Sequence, residues 1–331
     1  METFEHNHRL LFGSVAVMFI VLTIGVAILP ALENERTSSM LPAARPMTER
    51  ERAGERVYIS EGCVACHTQQ VRSVEMDKVW GERPGIPSDY AQAVRQDAWT
   101  NAATLMGTQR TGPDLTSIGK RQPSIEWHLL HLYAPRATVP SSIMPGYPWL
   151  FERKAKAGAS DVVVAIPGHR PADGVVVARK EALDLVAYLQ SRRQDDLPTG
   201  MASPVYRMSD GRTASPAKQE VREDGAALYT TYCGSCHQPD GKGLEGAFPP
   251  LAGSPVVTGN DVDLFVSIIM DGYDRRPEYA VMPAVGEMNA LKIEQIVAIM
   301  NHERSSWGNR AAKVDVDQVR AALKKRSRPQ P

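Results

Sequence analysis

One five-residue pattern, present twice, constrains this chain more than any other feature. Cys63-Val64-Ala65-Cys66-His67 and Cys233-Gly234-Ser235-Cys236-His237 together hold all four cysteines. In C-x-x-C-H the two thiols can add to the vinyl groups of a haem as thioethers, and the adjoining histidine becomes an iron ligand. Two other readings compete: structural thiols, or a pair of zinc half-sites. Zinc would need the two cysteine pairs brought together by the fold, and nothing would then require a histidine after each. The spacing therefore predicts two covalently bound haem c groups. Thiols committed to haem leave no cysteine for disulfides, so the usual inference from cysteine count to redox compartment does not apply.

Location has to come from the N-terminus. Leu10 to Leu32 is free of charge over 23 positions, with Arg9 before it and Glu33, Glu35 and Arg36 after it. As a helix it spans roughly 35 Å, enough for a bilayer core of about 30 Å. A cleaved signal peptide usually has a shorter apolar region and a small-x-small cleavage site, and Leu29-Pro30-Ala31-Leu32 is a poor one. The expectation is an uncleaved anchor at 10–32 after a short cytoplasmic tail (1–9), in a bacterial inner membrane. Covalent attachment through C-x-x-C-H takes place outside the bacterial cytoplasm, so the long C-terminal part faces the periplasm. The chain has 331 residues and a formal net charge of zero. That length allows two or three units, and the charge balance points to no nucleic-acid partner.

A polar, proline-containing linker follows at 33–47. Thr48-Glu49-Arg50-Glu51 then fits a capping box and predicts a helix start, with Ala53, Val57 and Tyr58 on one face. An internal repeat runs from there. Gly54-x-x-x-Tyr58 precedes the first C-x-x-C-H and Gly225-x-x-x-Tyr229 the second. After each comes a P-x-L unit (Pro113-Asp114-Leu115, Pro249-Pro250-Leu251) and then Met-Pro (Met144-Pro145, Met282-Pro283). Apolar-periodic helices close the copies at Glu181–Ser191 and Ala290–Glu303. Among 13 methionines only these two precede proline after a haem motif, so His67/Met144 and His237/Met282 are the expected axial pairs. Methionine opposite histidine raises the potential of haem iron. Met76, Met106, Met270 and Met288 remain open as alternatives.

This order resembles the layout of small class I cytochromes c. The resemblance implies a mainly α fold, with one N-terminal transmembrane helix followed by two class I cytochrome c domains, at 48–195 and 220–308. It also implies that the carbonyls of Pro113 and Pro249 accept the second ring proton of each ligating histidine. With both irons six-coordinate, neither is a site of chemistry. A linker at 196–219 is rich in Pro, Ser, Thr and Gly, and 309–331, basic overall, reads as a mobile tail.

The first domain is unusual, with 77 positions from His67 to Met144 against 45 from His237 to Met282. Its blocks Thr68–Arg72, Arg110–Leu115, Glu126–Arg136 and Met144–Leu150 are similar to those of the monohaem, membrane-anchored subunit II of cbb3-type cytochrome c oxidases. The second domain resembles cytochrome c domains of the dihaem subunit of such oxidases and ends in Ser305-Ser306-Trp307-Gly308-Asn309. The segment from Val162 to Val177 departs from the pattern; Gly168, Pro171 and Gly174 suggest a small hairpin there. His128 and His131, at i and i+3 beside Trp127 and Tyr133, are expected to pack or to bond haem propionates, and Arg72 and Arg136 are candidates to neutralise them. His169 and His302 receive no role. The 12 acidic against 6 basic side chains between Arg222 and Arg304 favour a basic donor.

The resemblance implies an electron-transfer subunit that is not catalytic alone. Electrons would enter at the second haem from a periplasmic donor such as a cytochrome c or the bc1 complex. They would pass through the first haem to the catalytic haem-copper subunit, alongside other oxidase subunits. The alternatives are a nitric oxide reductase subunit, a dihaem peroxidase, and a cytochrome serving a periplasmic dehydrogenase.

Overall fold

The computed structural model describes residues 7–37, 40–90, 105–107, 109–168, 174–207 and 224–326. The chain is mainly helical, and the described residues form one two-stranded sheet.

An apolar helix opens the chain and stays uncovered along its length. It runs as an α-helix over His8–Leu22, widens to a π-helix over Thr23–Ile28, and resumes as an α-helix over Leu29–Thr37. Pro30 accounts for the widening. Its ring lacks an N–H and would clash with a carbonyl one turn earlier, so the helix absorbs an extra residue instead of breaking. His8–Glu33 is long and apolar enough to cross a membrane, and its most apolar window buries nothing against the rest of the chain. Residues 33–37, expected as linker, continue this helix.

The first unit begins at the capping box. Thr48 Oγ1 accepts from the Glu51 N–H at 3.3 Å, and Glu51 Oε2 accepts from the Thr48 N–H at 2.7 Å. That starts the opening helix Glu49–Ser60, which crosses the closing helix Lys180–Ser191. Gly54 is the crossing point, because a Cβ there would lie 1.9 Å from the Asp184 carbonyl oxygen. The same arrangement recurs in the second unit. Its opening helix Gly225–Tyr232 crosses Ile293–Ser305 at Gly225, where a Cβ would come within 2.2 Å of the Ala298 carbonyl oxygen. The glycine of each G-x-x-x-Y pattern thus lets two helix backbones touch, and the tyrosine one turn on, Tyr58 or Tyr229, is buried beneath.

Between its end helices the first unit places the middle helix Ile125–Tyr133, N-capped by the Ser124 hydroxyl. Leu129, Leu130, Leu185 and Val186 form the centre of its core, each contributing about 1.5–3 kcal/mol by leaving water. Strands β1 (Phe151–Lys154) and β2 (Val175–Ala178) pair antiparallel. The ribbon suggested at 162–177 is therefore anchored further upstream, at Phe151, while Val163 adds only an isolated bridge to Val177. His169 and Pro171 lie outside the described residues.

Two expectations about flanking segments change. The stretch read as a linker at 196–219 lies on the first unit as far as Arg207. Tyr206 donates to the Gly81 carbonyl at 2.8 Å, and the Arg207 N–H to the Ser73 carbonyl at 2.8 Å. Its remainder, 208–219, lies outside the described residues. The segment expected as a mobile tail at 309–331 instead carries a helix, Val316–Arg326. Val314, Val319 and Ala322 enter the second unit's core beside Phe265 and Ile269. Part of its basic charge is spent locally: Lys325 pairs with Asp263 and Arg326 with Asp271, both at 2.5 Å, and Arg326 also reaches Glu287. Three acidic groups counted toward a donor-facing surface are neutralised within the unit itself.

Candidate haem sites

Each C-x-x-C-H sits at the end of an opening helix. Gly62, left-handed at φ 69°, turns the chain out of Glu49–Ser60, and Cys63–Ala65 follows as a 3-10 turn. The His67 N–H donates back to the Cys63 carbonyl at 3.0 Å, and His237 does the same to Cys233 at 3.0 Å. This turn holds the two cysteines and the histidine of each motif in one tight stretch of backbone.

Both histidines are oriented alike. The Nδ1–H of His67 donates to the Pro113 carbonyl at 2.7 Å, and that of His237 to the Pro249 carbonyl at 2.9 Å. With Nδ1 as donor, Nε2 of the neutral ring carries the lone pair that can bind iron. Burial lowers the pKa of both rings, against the opposing pull of the proline carbonyls, so the neutral form prevails at neutral pH. Burial also pushes the Cys63 and Cys236 thiols up to about 12.

The carbonyl of Pro113 is held by a network that the first unit's extra blocks build. The Gly112 N–H donates to Cys66 O at 2.8 Å and the Leu115 N–H to Thr68 O at 2.7 Å. Asp114, fully buried, accepts from the Thr68 hydroxyl at 2.6 Å and the Gln70 N–H at 2.8 Å. Arg110 bridges onward to buried Asp77 at 2.5 Å, which Arg72 meets from the other side at 2.9 Å. Burial works against the Asp77 carboxylate, but the two guanidinium groups hold its pKa well below the usual carboxylate range. Arg72, a candidate for a propionate in the sequence, pairs with Asp77. Blocks 68–72 and 110–115, far apart in sequence, are one hydrogen-bonded cradle under His67.

In the second unit, Asn309 does the bracing. Its side chain accepts from the Gly253 N–H at 2.7 Å and donates to the carbonyls of Leu251 and Glu303. Trp307 donates to Pro239 O at 3.0 Å and packs on Tyr229. The Ser305–Asn309 segment therefore clamps the loop that carries Pro249.

The methionines separate by environment. Met282 lines one cavity with Cys233, Cys236 and His237, and exchanges backbone hydrogen bonds with Tyr273 at 2.9 and 3.0 Å. Met270 is packed in the core against Gly286, and Met288 is exposed. In the first unit Met144 is half-buried against the core. Its loop is pinned where the Tyr147 N–H donates to Leu132 O at 2.8 Å, whereas Met76 is 70% exposed. The second unit's cavity, partly open to solvent, has mainly apolar walls including Phe265, Ile269 and Leu291. Two thiols at one edge, a histidine nitrogen and a thioether, set in apolar walls, fit a covalently attached haem. Among the described residues no three His, Cys, Asp or Glu side chains gather as a zinc site would need, so zinc half-sites fail on geometry.

His128 and His131 are packing residues. Buried His128 donates from Nε2 to Gln122 O at 2.8 Å. His131 bonds the Thr138 hydroxyl at 2.6 Å and stacks on Trp127 at 4.5 Å and 11°. Burial, and then the neighbouring His128 and His67, bring its pKa down to about 3. Arg136 is exposed, and His302 stacks edge-on to Trp307. Sequence reasoning missed Asp77 and named Arg110 and Asn309 only as parts of motif blocks, because their roles rest on partners distant in the chain.

Comparison with known proteins adds the family. Residues 2–166 match the family described as cytochrome c oxidase, mono-haem subunit/FixO, and residues 220–302 match cytochrome c oxidase, cbb3-type, subunit III. Relatives include the cytochrome c subunit of a quinone-dependent alcohol dehydrogenase from Gluconacetobacter polyoxogenes, 36% identical over 33% of this chain and 22% of its own length. The fructose dehydrogenase cytochrome subunit of Gluconobacter japonicus is 43% identical over 29% of this chain and 21% of its own length. The gluconate 2-dehydrogenase cytochrome c subunit of Pantoea cypripedii is 26% identical over 81% of this chain and 55% of its own length. The chain thus spans only about a fifth of the first two subunits. It is an electron-transfer cytochrome c with a helix able to anchor it in a membrane. Over its N-terminal half the chain belongs to the mono-haem cytochrome c oxidase subunit (FixO) family, and it continues into a cbb3-type cytochrome c domain.

Proposed function

We propose that this chain carries electrons from a periplasmic donor to the catalytic haem-copper subunit of a cbb3-type terminal oxidase, using two covalently bound haems c. Cys63 and Cys66 hold the first haem and Cys233 and Cys236 the second. His67 and Met144 are the axial ligands of one iron, His237 and Met282 those of the other. Pro113 and Pro249 orient the histidines. The haem would supply a one-electron couple; the protein would hold it, fix the imidazole and surround it with the mainly apolar walls of the second cavity. The units, 48–195 and about 220–326, stand on the periplasmic side of the anchor.

One observation carries this reading. The FixO-type segment is continuous from the apolar helix through the cradle of Asp77, Arg110 and Asp114 beneath the first histidine. The donor's docking face is smaller than the acidic surplus alone implies, since Asp263, Asp271 and Glu287 already pair with the C-terminal helix.

A second reading, a cytochrome subunit serving a periplasmic dehydrogenase, is favoured by the match to a gluconate 2-dehydrogenase subunit over 81% of this chain. Mild detergent purification with identification of the partners separates the two. A haem-copper subunit and cyanide-sensitive O₂ consumption are expected. A flavin- or quinone-dependent dehydrogenase in the complex, with reduction by sugar acid or alcohol, would overturn the oxidase assignment, and turnover of NO in place of O₂ would redirect it to a nitric oxide reductase. Cys63→Ser should leave one haem covalently held per chain by haem staining; two would contradict the site.

A further inference from the structure

We propose that Trp127, Gln122 and Gln238 lock the attachment loop of the second haem onto the first unit, making the two haem sites one fixed electron-exchanging pair instead of two tethered domains. The inference rests on reading both C-x-x-C-H loops as haem-bearing.

Trp127 belongs to the first unit's middle helix and is buried. A buried indole N–H needs an acceptor, and it finds one in the other unit: it donates to the Ser235 carbonyl at 2.9 Å, between the two cysteines of the second haem motif. Gln122, also buried, donates from Nε2 to the Ser235 hydroxyl at 2.6 Å. Its Oε1 lies 3.9 Å from Cys236 Sγ. Once that sulfur is a thioether it has no hydrogen to give, and the bond to Ser235 is what remains. Gln122 and the adjoining Pro123 and Ser124 also form part of the wall of the cavity that holds His237 and Met282. The first unit therefore completes the second haem's pocket.

The contact closes into a ring. Gln238, directly after the second haem histidine, reaches back to the Thr138 carbonyl at 3.4 Å. The Thr138 hydroxyl donates to Pro135 O at 3.0 Å, so its lone pair accepts from His131 Nδ1 at 2.6 Å. His131 stacks on Trp127, and Cys63 of the first motif and Cys236 of the second both border the first unit's core. Packed side chains thus run from the second motif through Trp127 to His131 on the first unit's middle helix. Ala247 and Phe248 of the second unit join the first unit's core beside this path. A fixed contact of this kind favours one-electron exchange. As the second site's iron goes from ferrous to ferric, the first goes from ferric to ferrous, with no bond broken and no proton moved.

The test uses the full detergent-solubilised chain with two haems, as Trp127→Phe, which keeps an aromatic ring but loses the N–H, and as Ser235→Arg, which wedges the contact from the other side. Hydrogen exchange at 122–128 and 234–238 reports docking, and the rate of electron equilibration between haems after photoreduction reports coupling. Removing the Trp127 donor leaves the Ser235 carbonyl only the longer 3.4 Å bond from Gln238, which is expected to raise interface exchange by roughly 2- to 12-fold, with slower equilibration and both haem spectra intact. Unchanged exchange and rate in both variants would overturn the proposal. Faster exchange with an unchanged rate would overturn the coupling role. A single haem per chain would overturn the reading beneath it, a result that haem staining distinguishes from the other two.

Discussion

Gly112→Ala tests whether the cradle under His67 sets the potential of the first haem. A Cβ at this position would lie 2.4 Å from His67 Cε1, 2.7 Å from Nδ1 and 2.9 Å from Nε2. Comfortable carbon contacts are about 3.5–4.0 Å, so the ring or the loop must yield by about 1 Å. The loop is the stiffer of the two. Its Gly112 and Leu115 N–H groups are bonded to Cys66 and Thr68, and Asp114 ties it to Thr68 and Gln70. The ring therefore moves, and the 2.7 Å bond from Nδ1 to Pro113 O lengthens or breaks. Such a bond contributes roughly 1 kcal/mol net. It favours ferric iron, because the polarised ring is a better donor at Nε2. For a one-electron couple a tenfold change is 59 mV, so 1 kcal/mol corresponds to about 40 mV. A spectroelectrochemical titration resolved into two components should show the first potential raised by about that amount and the second unmoved. Two unmoved potentials, or a shift confined to the second, would refute the reasoning.

Met282→Ala removes the thioether from the second cavity, and the potential of that haem should fall by on the order of 0.1 V with both haems still attached; if both potentials hold, Met282 is not a ligand. Val319→Asp places an uncompensated charge at a fully buried position of the C-terminal helix and should cost about 3 kcal/mol or more. Thermal unfolding of the second unit reads this, and an unchanged midpoint would mean the helix does not dock. Burial opposes the charge on Glu51, but hydrogen bonds from Arg45 and Thr48 outweigh it and bring its pKa down to about 2 from 4.5. The folded value lies below the unfolded one, so its stabilisation is complete above pH 4.5 and is lost as pH falls toward 2. Glu51→Gln should flatten that part of the acid-unfolding profile, and parallel profiles would exclude the contribution.

Features that depend on near neighbours were legible in the sequence. The C-x-x-C-H turns, the Thr48–Glu51 box, the apolar run and the repeat of glycine, P-x-L and Met-Pro are local patterns, because a short spacing sets their chemistry. Even the crossing points at Gly54 and Gly225 were marked, although the reason, helix backbones in contact, became visible only with the second helix in place. Tertiary structure decided what depends on distant partners. Arg72 and Arg110 converge on Asp77, which ties Arg72, a propionate candidate in the sequence, into the support under His67. The basic tail reads as solvated in sequence, yet its sparse stripe of Val314, Val319 and Ala322 finds an apolar groove and its cations find Asp263 and Asp271. Trp127 has no acceptor that a sequence could name, since Ser235 lies more than a hundred positions away. What a chain can bind is written in spacings of a few residues; which sites face each other is settled by burial, which pairs groups wherever folding brings them together.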